Sequence, residues 1–425
     1  MKTFHKQYIC NAVKMKELAD CSVKLVVTSP PYPMIDMWDE IFNRQDRNIE
    51  QALKKHDGFQ AFERMHQVLD RVWKEVFRVL SPGGFACINI GDATRTLGDN
   101  FALYPNHARI LNAAQGLGFT ALPCILWRKQ TNAPNKFMGS GMLPAGAYVT
   151  LEHEYILILR KGGKREFPSP ATKENRRQSA LFWEERNQWF SDIWMDLKGT
   201  RQAMGKQKNR NRSGAFPFEL AYRLINMYSV KGDLVLDPFL GTGTTTLAAM
   251  AAGRNCAGYE IDPSLLENFY DKCNDSLGHF SSVIQHRIEA HKDFIRGRLE
   301  AGKPIKHENT HYGFPVVTRQ EKELVFSIPV SVEQQGDENI IVNYDIPSRE
   351  TGHTATAVQT TPSVPGSPGR TRPRSETGLF QLAPCRYTSF KSLHFPMDFQ
   401  GSRHRPWQWI CTDGPMLVFY SQTEN

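Results

Sequence analysis

The sequence predicts an α/β fold built on a mostly parallel, doubly wound sheet. Three observations predict it: short β-branched apolar runs recur along the chain up to Glu260, amphipathic segments of helical period separate them, and glycine-containing turns join the two. Parallel strands need crossover helices that cover both sheet faces, so buried strands of this kind read as continuous apolar runs. In such sheets, ligands bind beyond the carboxyl ends of the strands.

The first part of this pattern starts from the run VKLVVT, which predicts a buried strand at Val23–Thr28. Residues Phe59–Leu80 carry apolar side chains at helical spacing, and the Ser-Pro-Gly-Gly sequence at 81–84 ends that helix. The run FACINI then predicts a strand at Phe85–Ile90. The same criteria predict a helix at Asn106–Gly118 and strands at Leu122–Trp127 and Glu154–Leu159.

A second strand–loop–helix unit follows. Residues Phe216–Tyr228 are amphipathic and helical in period, and Leu234–Leu236 is a short strand. The turn Gly241–Thr244 leads into the predicted helix Thr245–Ala252, and Asn255–Glu260 is the next strand. We therefore assign residues 1–300 to one α/β domain.

The remaining residues differ in character. Residues 301–345 predict a small β-containing extension, with strands at Leu324–Val332 and Ile340–Tyr344 that could form a hairpin. Residues 346–378 are rich in Ser, Thr, Pro and Gly, which predicts a flexible linker. Residues 379–425 form a C-terminal tail whose aromatic side chains follow no assignable pattern.

The overall composition is that of a water-soluble globular protein, with 40% hydrophobic and 23% charged residues and a mean hydropathy of -0.46. No apolar run reaches the length of a membrane span, and the N-terminal residues lack the apolar stretch of a signal peptide. None of the eight cysteines forms a CxxC pair, so neither a zinc site nor a disulfide framework is indicated. We expect a reduced, cytoplasmic protein without membrane or metal partners.

Positive charge is concentrated in one stretch of the chain. Residues 160–212 contain 14 Lys and Arg against 6 Asp and Glu, an excess of 14 − 6 = +8 that equals the formal charge of the whole chain. Because Lys and Arg contact phosphates, this stretch is a candidate nucleic-acid surface; a solvated loop face is the alternative. The candidate DNA-binding residues are Arg176, Arg177, Arg201, Lys206, Lys208, Arg210 and Arg212.

The motif Ser29-Pro30-Pro31-Tyr32 directly follows the first predicted strand. The Pro-Pro pair ends the strand and stiffens the loop. Methylation of an aromatic amine requires its nitrogen to become tetrahedral, and hydrogen-bond acceptors aimed at the amino hydrogens favour that form. The Ser29 hydroxyl and the Pro30 carbonyl are candidate acceptors, and Tyr32 offers a face on which an extruded base can stack. A purely structural loop is the alternative interpretation.

The second motif is the glycine-containing loop from Asp237 to Thr245, with the sequence DPFLGTGTT. Glycines between a strand and a helix allow the backbone to approach a ligand closely. No Lys follows Gly243, so the loop is not a phosphate-binding P-loop, nor does it match GxGxxG. Glu260 ends the next strand, about 20 residues on, where an acid can hydrogen-bond ribose hydroxyls.

Together the two motifs resemble the DNA amino-methyltransferases, the cytosine-N4 and adenine-N6 family, in the order that puts the catalytic motif first. Arg78-Val79-Leu80-Ser81-Pro82-Gly83-Gly84 is similar to the helix-to-strand turn of this family, and the Ser form of the catalytic motif resembles the cytosine-N4 branch. The resemblance covers roughly residues 5–275. It implies a Rossmann-like methyltransferase fold with S-adenosylmethionine as the methyl donor.

The resemblance also implies roles for individual residues. The catalytic set is Ser29, Pro30, Pro31 and Tyr32. The cofactor set is Asn11, Phe216, Pro217, Asp237, Pro238, Phe239, Gly241, Thr242, Gly243, Thr244 and Glu260. Target recognition is implied at about 160–212. Because this stretch is short for a domain, we expect part of the specificity to come from the insertion Trp38–His56 or from the tail beyond 300. The implied partner is double-stranded DNA, and the implied setting is a prokaryotic cell with a companion restriction endonuclease.

Four alternatives remain open at this point. Adenine-N6 methylation of DNA and methylation of RNA use the same scaffold. A cytosine-C5 enzyme needs a thiolate nucleophile, for which Cys124 and Cys385 each follow a proline but lack supporting motifs. A non-catalytic DNA-binding module would retain the fold without binding the cofactor.

Overall fold

A ten-stranded sheet runs through the part of the chain that the computed structural model describes, residues 1–129, 138–199, 216–336 and 339–346. The strands of the described residues are β1 (Lys2–Ile9), β2 (Val23–Thr28), β3 (Leu80–Ile90), β4 (Ala93–Leu97), β5 (Asn100–Tyr104), β6 (Phe119–Arg128), β7 (Met138–Gly139), β8 (Ala147–Tyr148), β9 (His153–Lys161), β10 (Ile193–Trp194), β11 (Leu234–Asp237), β12 (Asn255–Glu260), β13 (His307–Glu308), β14 (Pro315–Val316), β15 (Ile328–Gln335) and β16 (Asn339–Asp345).

The helices surround this sheet. Within the described residues they are α1 (Asp39–Gln45), α2 (Arg47–Lys54), α3 (Gly58–Val79), α4 (Asn106–Gly116), α5 (Pro170–Gln178), α6 (Trp183–Trp189), α7 (Phe218–Tyr228), α8 (Thr244–Ala252), α9 (Phe269–Asp275) and α10 (Leu277–Glu300). None of them is both long enough and apolar enough to cross a membrane.

The strand order of the main sheet is β10-β6-β9-β3-β2-β11-β12-β1-β16-β15. The five central strands, from β3 to β1, all run parallel, whereas β9 and β16 are antiparallel to their neighbours. Apolar side chains of α1–α4 form one core layer, and those of α7, α8 and α10 form the other. The predicted α/β fold, with a mainly parallel doubly wound sheet, is confirmed.

Most elements predicted up to Glu260 occur within a few residues of their predicted bounds, but strand β3 begins earlier than expected. Its pairing with β2 passes from Leu80 directly to Phe85, so the residues between them form a bulge. Gly83 in this bulge has a φ of +78°, a conformation that L-residues with side chains rarely adopt. The Ser-Pro-Gly-Gly sequence therefore ends the helix and begins the strand at once.

Strand β1 was missed by the sequence analysis. Its buried side chains are Thr3, His5 and Gln7, whereas Phe4 is 52% exposed. This arrangement inverts the usual apolar-in, polar-out pattern, so periodicity does not reveal the strand. The strand is nevertheless internal, with β12 on one side and β16 on the other.

The predicted C-terminal strand pair forms a hairpin, but its first strand begins at Ile328 rather than Leu324. Leu324 and Phe326 instead pack with Phe182 and Ile284 in a separate apolar cluster. Through β16 the hairpin pairs with β1 and so extends the main sheet. The linker predicted at 346–378 and the tail at 379–425 lie outside the described residues, apart from Ile346.

A buried ion pair joins helices α6 and α10. Arg287 donates from Nε to Glu185 Oε1 at 2.5 Å and from Nη2 to Oε2 at 2.7 Å, and its Nη1 donates to the Tyr222 hydroxyl at 2.9 Å. The two charged side chains are only 7% and 10% exposed. Removal of one partner would leave the other charge buried without compensation.

We expect Arg287→Met to lower the free energy of unfolding by about 3–5 kcal/mol, because Glu185 then lacks its counter-ion. Urea denaturation followed by circular dichroism measures this change. Arg296→Met on the same helix is the matched control, since its ion pair with Asp293 is exposed on both sides (68% and 66%). Equal stabilities of the two variants would contradict a structural role for the buried pair.

Candidate active site

A cavity of about 590 Å³ opens at the carboxyl ends of β2, β11 and β12. This volume lies within the range of small-molecule sites. Of the predicted catalytic and cofactor residues, those that line it are Asn11, Ser29, Pro31, Phe216, Asp237, Pro238, Phe239, Gly241, Thr242, Thr244 and Glu260. Pro30, Tyr32, Pro217 and Gly243 are not among the lining residues, although each adjoins one that is. The two motifs, about 200 residues apart in sequence, thus meet at one cavity.

The Asp237 carboxylate joins the end of β2 to the glycine loop, residues 237–245. It is 2% exposed and accepts hydrogen bonds from the hydroxyls of Thr28 and Thr245, both at 2.6 Å. The backbone N–H of Phe239 donates to it as well, at 3.1 Å. Burial raises the pKa of Asp237 to about 6, although these three donors favour the charged form.

Two glycines give the glycine loop its shape. Gly241 has a φ of +55° and nothing within 4 Å of the position where a Cβ would lie, so it presents bare backbone on the cavity side. Gly243 has a φ of +82°, and a Cβ there would lie 2.1 Å from Cε2 of Phe269. Gly243 is therefore required for packing beneath the loop, whereas Gly241 leaves room for a ligand.

Glu260 holds the loop that follows β12 against the glycine loop. Its Oε2 accepts from the Gly241 N–H at 2.8 Å, and its Oε1 accepts from the N–H groups of Ile261 and Asp262 at 2.8 and 2.9 Å. Burial raises its pKa above the ordinary value, although the three N–H donors favour the charged form. An ionised carboxylate has about four lone-pair sites, so one acceptor position is left for a ligand.

The charges around the cavity fit a cation rather than a polyphosphate. Asp237, Glu260 and Asp262 bring carboxylates to it, whereas the guanidinium of Arg44 is paired with Glu40. S-adenosylmethionine carries a sulfonium and an ammonium group together with ribose hydroxyls, and acidic side chains complement all of these. The residues present therefore fit the cofactor that the resemblance implies.

One wall of the cavity consists of residues that the sequence did not predict as cavity-lining. Trp38, Ile41 and Phe42, at the start of the insertion Trp38–His56, line the cavity together with Val68 and neighbouring residues of α3. We expected this insertion to contribute to target recognition, whereas its first helix lies at the candidate cofactor site. The available signal in the sequence for this wall was an apolar residue, Trp38, at the start of an amphipathic insertion.

The catalytic motif is held by a hydrogen-bonded network that the sequence analysis missed. The Tyr32 hydroxyl donates to Glu154 Oε2 at 2.9 Å and accepts from Asn89 Nδ2 at 2.9 Å, and the Ser29 hydroxyl lies 3.2 Å from it. Lys129 Nζ donates to the other oxygen of Glu154 at 2.9 Å. Polar residues within the apolar strands FACINI and EYILIL were the only sequence signal for Asn89 and Glu154.

The structure does not bring Arg176 and Arg177 to this site. The neighbouring Asn175 donates to the carbonyl of Lys231, in the turn before β11, whereas the cavity lies beyond the other end of that strand. Arg177 is paired with Glu323 at 3.4 Å. Net charge alone carried no information on which edge of the sheet these side chains occupy, and their contact with DNA stays a prediction for the binding experiment below.

The other candidate DNA-binding residues, Arg201, Lys206, Lys208, Arg210 and Arg212, lie outside the described residues. The described residues on either side of them are close to the site. Gly199 adjoins Lys129, because a Cβ on Gly199 would lie 3.2 Å from Lys129 Cε, and Phe216 lines the cavity.

The described residues contain one cluster with metal-ligand chemistry, Glu184, His291 and Glu321. Its groups are engaged with the protein: His291 Nδ1 lies 2.7 Å from Glu184 Oε1, and its Nε2 lies 3.0 Å from the carbonyl of Pro315. Glu321 accepts from the N–H groups of Trp183 and Thr318. The cluster therefore fastens α6 to α10 and the segment after it.

We expect Glu260→Gln to weaken binding of S-adenosylmethionine by roughly 10- to 100-fold, since an amide NH₂ would face backbone N–H groups that now donate to a carboxylate. Isothermal titration calorimetry measures the dissociation constant. Glu267→Gln, an exposed acid shortly after the same loop, is the matched control and should bind normally. Unchanged affinity in Glu260→Gln would refute its role in holding the loop.

Comparison with known proteins identifies the family to which this chain belongs. The profile of the N6/N4 DNA methylase family matches residues 23–271, more than half of the chain. The chain is 51% identical over 330 residues to the Type II methyltransferase M.MthZI of Methanothermobacter thermautotrophicus, covering 77% of this chain and 92% of that protein. It is 50% identical over 274 residues to the Type II methyltransferase M.MjaI of Methanocaldococcus jannaschii, covering 62% and 89%.

Among solved structures, the fold matches the DNA modification methylase TTHA0409 of Thermus thermophilus in complex with S-adenosyl-L-methionine. The TM-score is 0.50 at 33% identity, over 63% of this chain and 93% of that one. The resemblance carried by the two motifs and the cofactor that it implies are thereby confirmed. The chain belongs to the N6/N4 DNA methylase family and is an S-adenosylmethionine-dependent DNA methyltransferase.

Proposed function

We propose that the protein transfers a methyl group from S-adenosylmethionine to the exocyclic N4 of cytosine in duplex DNA. The observation that carries the proposal is the meeting of Ser29 and the glycine loop at one cavity, with the acceptor motif directly after β2. The cofactor, when bound, supplies an electrophilic methyl group. The residues of the chain have to bring an amine to it in a reactive form.

The chemical requirement falls on the amine. Its lone pair is delocalised into the base, so nitrogen becomes nucleophilic only as it turns tetrahedral. Acceptors preorganised on the two amino hydrogens stabilise that geometry in the transition state. The Ser29 hydroxyl and the Pro30 carbonyl are the proposed acceptors, and no covalent bond to the enzyme is required.

Cysteine chemistry has little support in this structure. A cytosine-C5 mechanism needs a thiolate beside the base. Cys124 lies in β6 and packs against the apolar core, and Cys385 lies outside the described residues. Amino methylation therefore remains the proposal that the residues around the cavity favour.

The target base has to leave the duplex to reach this site. Tyr32 is the proposed stacking surface, since its hydroxyl is anchored to Glu154 and Asn89 and its ring lies close to Gly91: a Cβ on Gly91 would lie 3.0 Å from Tyr32 Cε2. Such anchoring keeps the ring in one orientation. Arg201, Lys206, Lys208, Arg210 and Arg212 are proposed to contact phosphates, because the described residues that flank them lie beside the site.

Two finer points remain proposals. The Ser form of the catalytic motif favours cytosine N4 as the target, and adenine N6 is the alternative. The relatives M.MthZI and M.MjaI are named Type II methyltransferases, which supports a role as the modification enzyme beside a companion restriction endonuclease.

The first experiment is transfer of labelled methyl from S-adenosylmethionine to unmethylated duplex DNA and, in parallel, to structured RNA, followed by nucleoside analysis. We expect N4-methylcytosine, and a loss of about 100-fold or more in rate for Ser29→Ala. Ser22→Ala, just before the same strand, is the matched control because its hydroxyl bonds only locally, to the Ala19 carbonyl. N6-methyladenine would overturn the base assignment, and label confined to RNA would overturn the substrate.

A second experiment tests the proposed phosphate contacts. Replacement of Lys206, Lys208, Arg210 and Arg212 by Ala should weaken DNA binding and reduce the slope of log affinity against log salt by about 0.9 for each phosphate that is no longer neutralised. Fluorescence anisotropy over a salt series measures both. Arg176→Ala with Arg177→Ala, in the same charged stretch but at the other edge of the sheet, should leave both quantities unchanged. An equal loss in that control would contradict the proposed interface.

A further inference from the structure

A chain of hydrogen bonds runs from the catalytic serine to a partly buried carboxylate that neither motif contains. It passes from Ser29 Oγ to the Tyr32 hydroxyl over 3.2 Å and on to Glu154 Oε2 over 2.9 Å. The chain draws on three parts of the sequence, since Asn89 lies in β3 and Glu154 in β9. The antiparallel pairing of β9 with β3 brings these two residues together.

The direction of each hydrogen bond follows from the carboxylate. A carboxylate can only accept, and Lys129 Nζ donates to the other oxygen of Glu154 at 2.9 Å. The Tyr32 hydroxyl must therefore donate its single proton to Glu154. Burial raises the pKa of Tyr32 well above its ordinary value, and the charge of Glu154 raises it further, so the phenol retains that proton.

Because Tyr32 donates to Glu154, its oxygen can only accept from its other neighbours. Asn89 Nδ2 donates to it at 2.9 Å and to Glu154 Oε2 at 2.7 Å. Asn89 is 2% exposed, and its Oδ1 has no hydrogen-bond partner among the described residues. An amide that leaves its oxygen unsatisfied in order to aim its NH₂ at Glu154 indicates that the carboxylate sets the arrangement.

The remaining neighbour of the Tyr32 oxygen is Ser29, whose hydroxyl must donate to it. The proton of Ser29 is thus directed away from the cavity, and only its lone pairs are left for a ligand. A hydroxyl group ordinarily rotates to suit either a donor or an acceptor. Here the network removes that choice.

We propose that Glu154 is a positioning residue that, through Tyr32, fixes the Ser29 hydroxyl as an acceptor and so makes the site select an exocyclic amino group over a carbonyl at the same place on the base. The inference rests on the proposed amino methylation. It adds a reason for the selection: a base with an amino group donates to Ser29, whereas its deaminated counterpart presents a second acceptor. Cytosine is thereby preferred to uracil, or adenine to hypoxanthine.

Glu154→Gln tests the proposal. Lys129 attracts the amide oxygen of the new side chain, so its NH₂ faces Tyr32 and donates to it. The Tyr32 hydroxyl can then donate its proton to Ser29, so the Ser29 hydroxyl is free to act as a donor instead of an acceptor toward the ligand. We expect kcat to fall on the order of 100-fold, the loss typical of one preorganised hydrogen bond, while the dissociation constant for S-adenosylmethionine changes less than about threefold.

A double-mutant cycle separates this relay, the hydrogen-bonded path from Glu154 through Tyr32 to Ser29, from a merely structural effect of the Glu154 substitution. Tyr32→Phe keeps the aromatic face but breaks the chain, so Glu154→Gln should have no further effect on kcat in that background. Glu152→Gln is the matched control, because that acid is 44% exposed and pairs with Arg128 rather than with the motif. Additive losses in the cycle, or a large loss of cofactor affinity in Glu154→Gln, would overturn the proposal.

Binding to a duplex that carries the deaminated base at the target position gives an independent measure. The wild type should bind it more weakly than the amino-containing duplex, and Glu154→Gln should narrow that difference. An unchanged difference would count against the relay. If the wild type transfers no methyl group to DNA, the proposed function itself is refuted. If the wild type is active but the losses of kcat in the two single variants add in the double variant, only the role of Glu154 is refuted.

Discussion

The buried carboxylate of Asp237 is the constraint on which the site depends. A carboxylate with 2% exposure is costly unless its oxygens are hydrogen-bonded, and here two of the donors are the hydroxyls of Thr28 and Thr245. Thr28 ends the strand that carries the catalytic motif, and Thr245 lies in the first turn of the helix after the glycine loop. One side chain therefore sets the distance between the proposed catalytic motif and the glycine loop.

The central strands were predictable because their chemistry is simple. Helices cover both faces of Val23–Thr28 and Asn255–Glu260, so the central positions of each strand are apolar or small and each run stands out in the sequence. Chain reversal at the carboxyl ends requires glycine and proline, which mark where the loops begin. The residues that follow such strands, Ser29 and Gly241 among them, could therefore be assigned to one edge of the sheet from the sequence alone.

The remainder depends on tertiary pairing that local patterns do not encode. Glu154 reaches Tyr32 only because an antiparallel strand is inserted between β3 and β6, and nothing in the sequence around Glu154 specifies that neighbour. Trp38 became part of the cavity wall through packing of an insertion whose position was unknown. The position of Arg176 could not be predicted for a related reason, since a count of charges says how many are present but not which edge of the sheet they occupy.

Strand β1 has a consequence for how the chain is made. Lys2–Ile9 is synthesised before both of its neighbours, which are complete only at Glu260 and Asp345, and the hydrogen bond between Thr3 and Tyr344 spans 341 residues. Contacts of such separation form late, so the strand spends synthesis with both edges unpaired. Its Lys, His and Gln side chains disfavour pairing with other nascent chains during that interval. The polar character that hid the strand from pattern analysis thus protects it until its partners emerge from the ribosome.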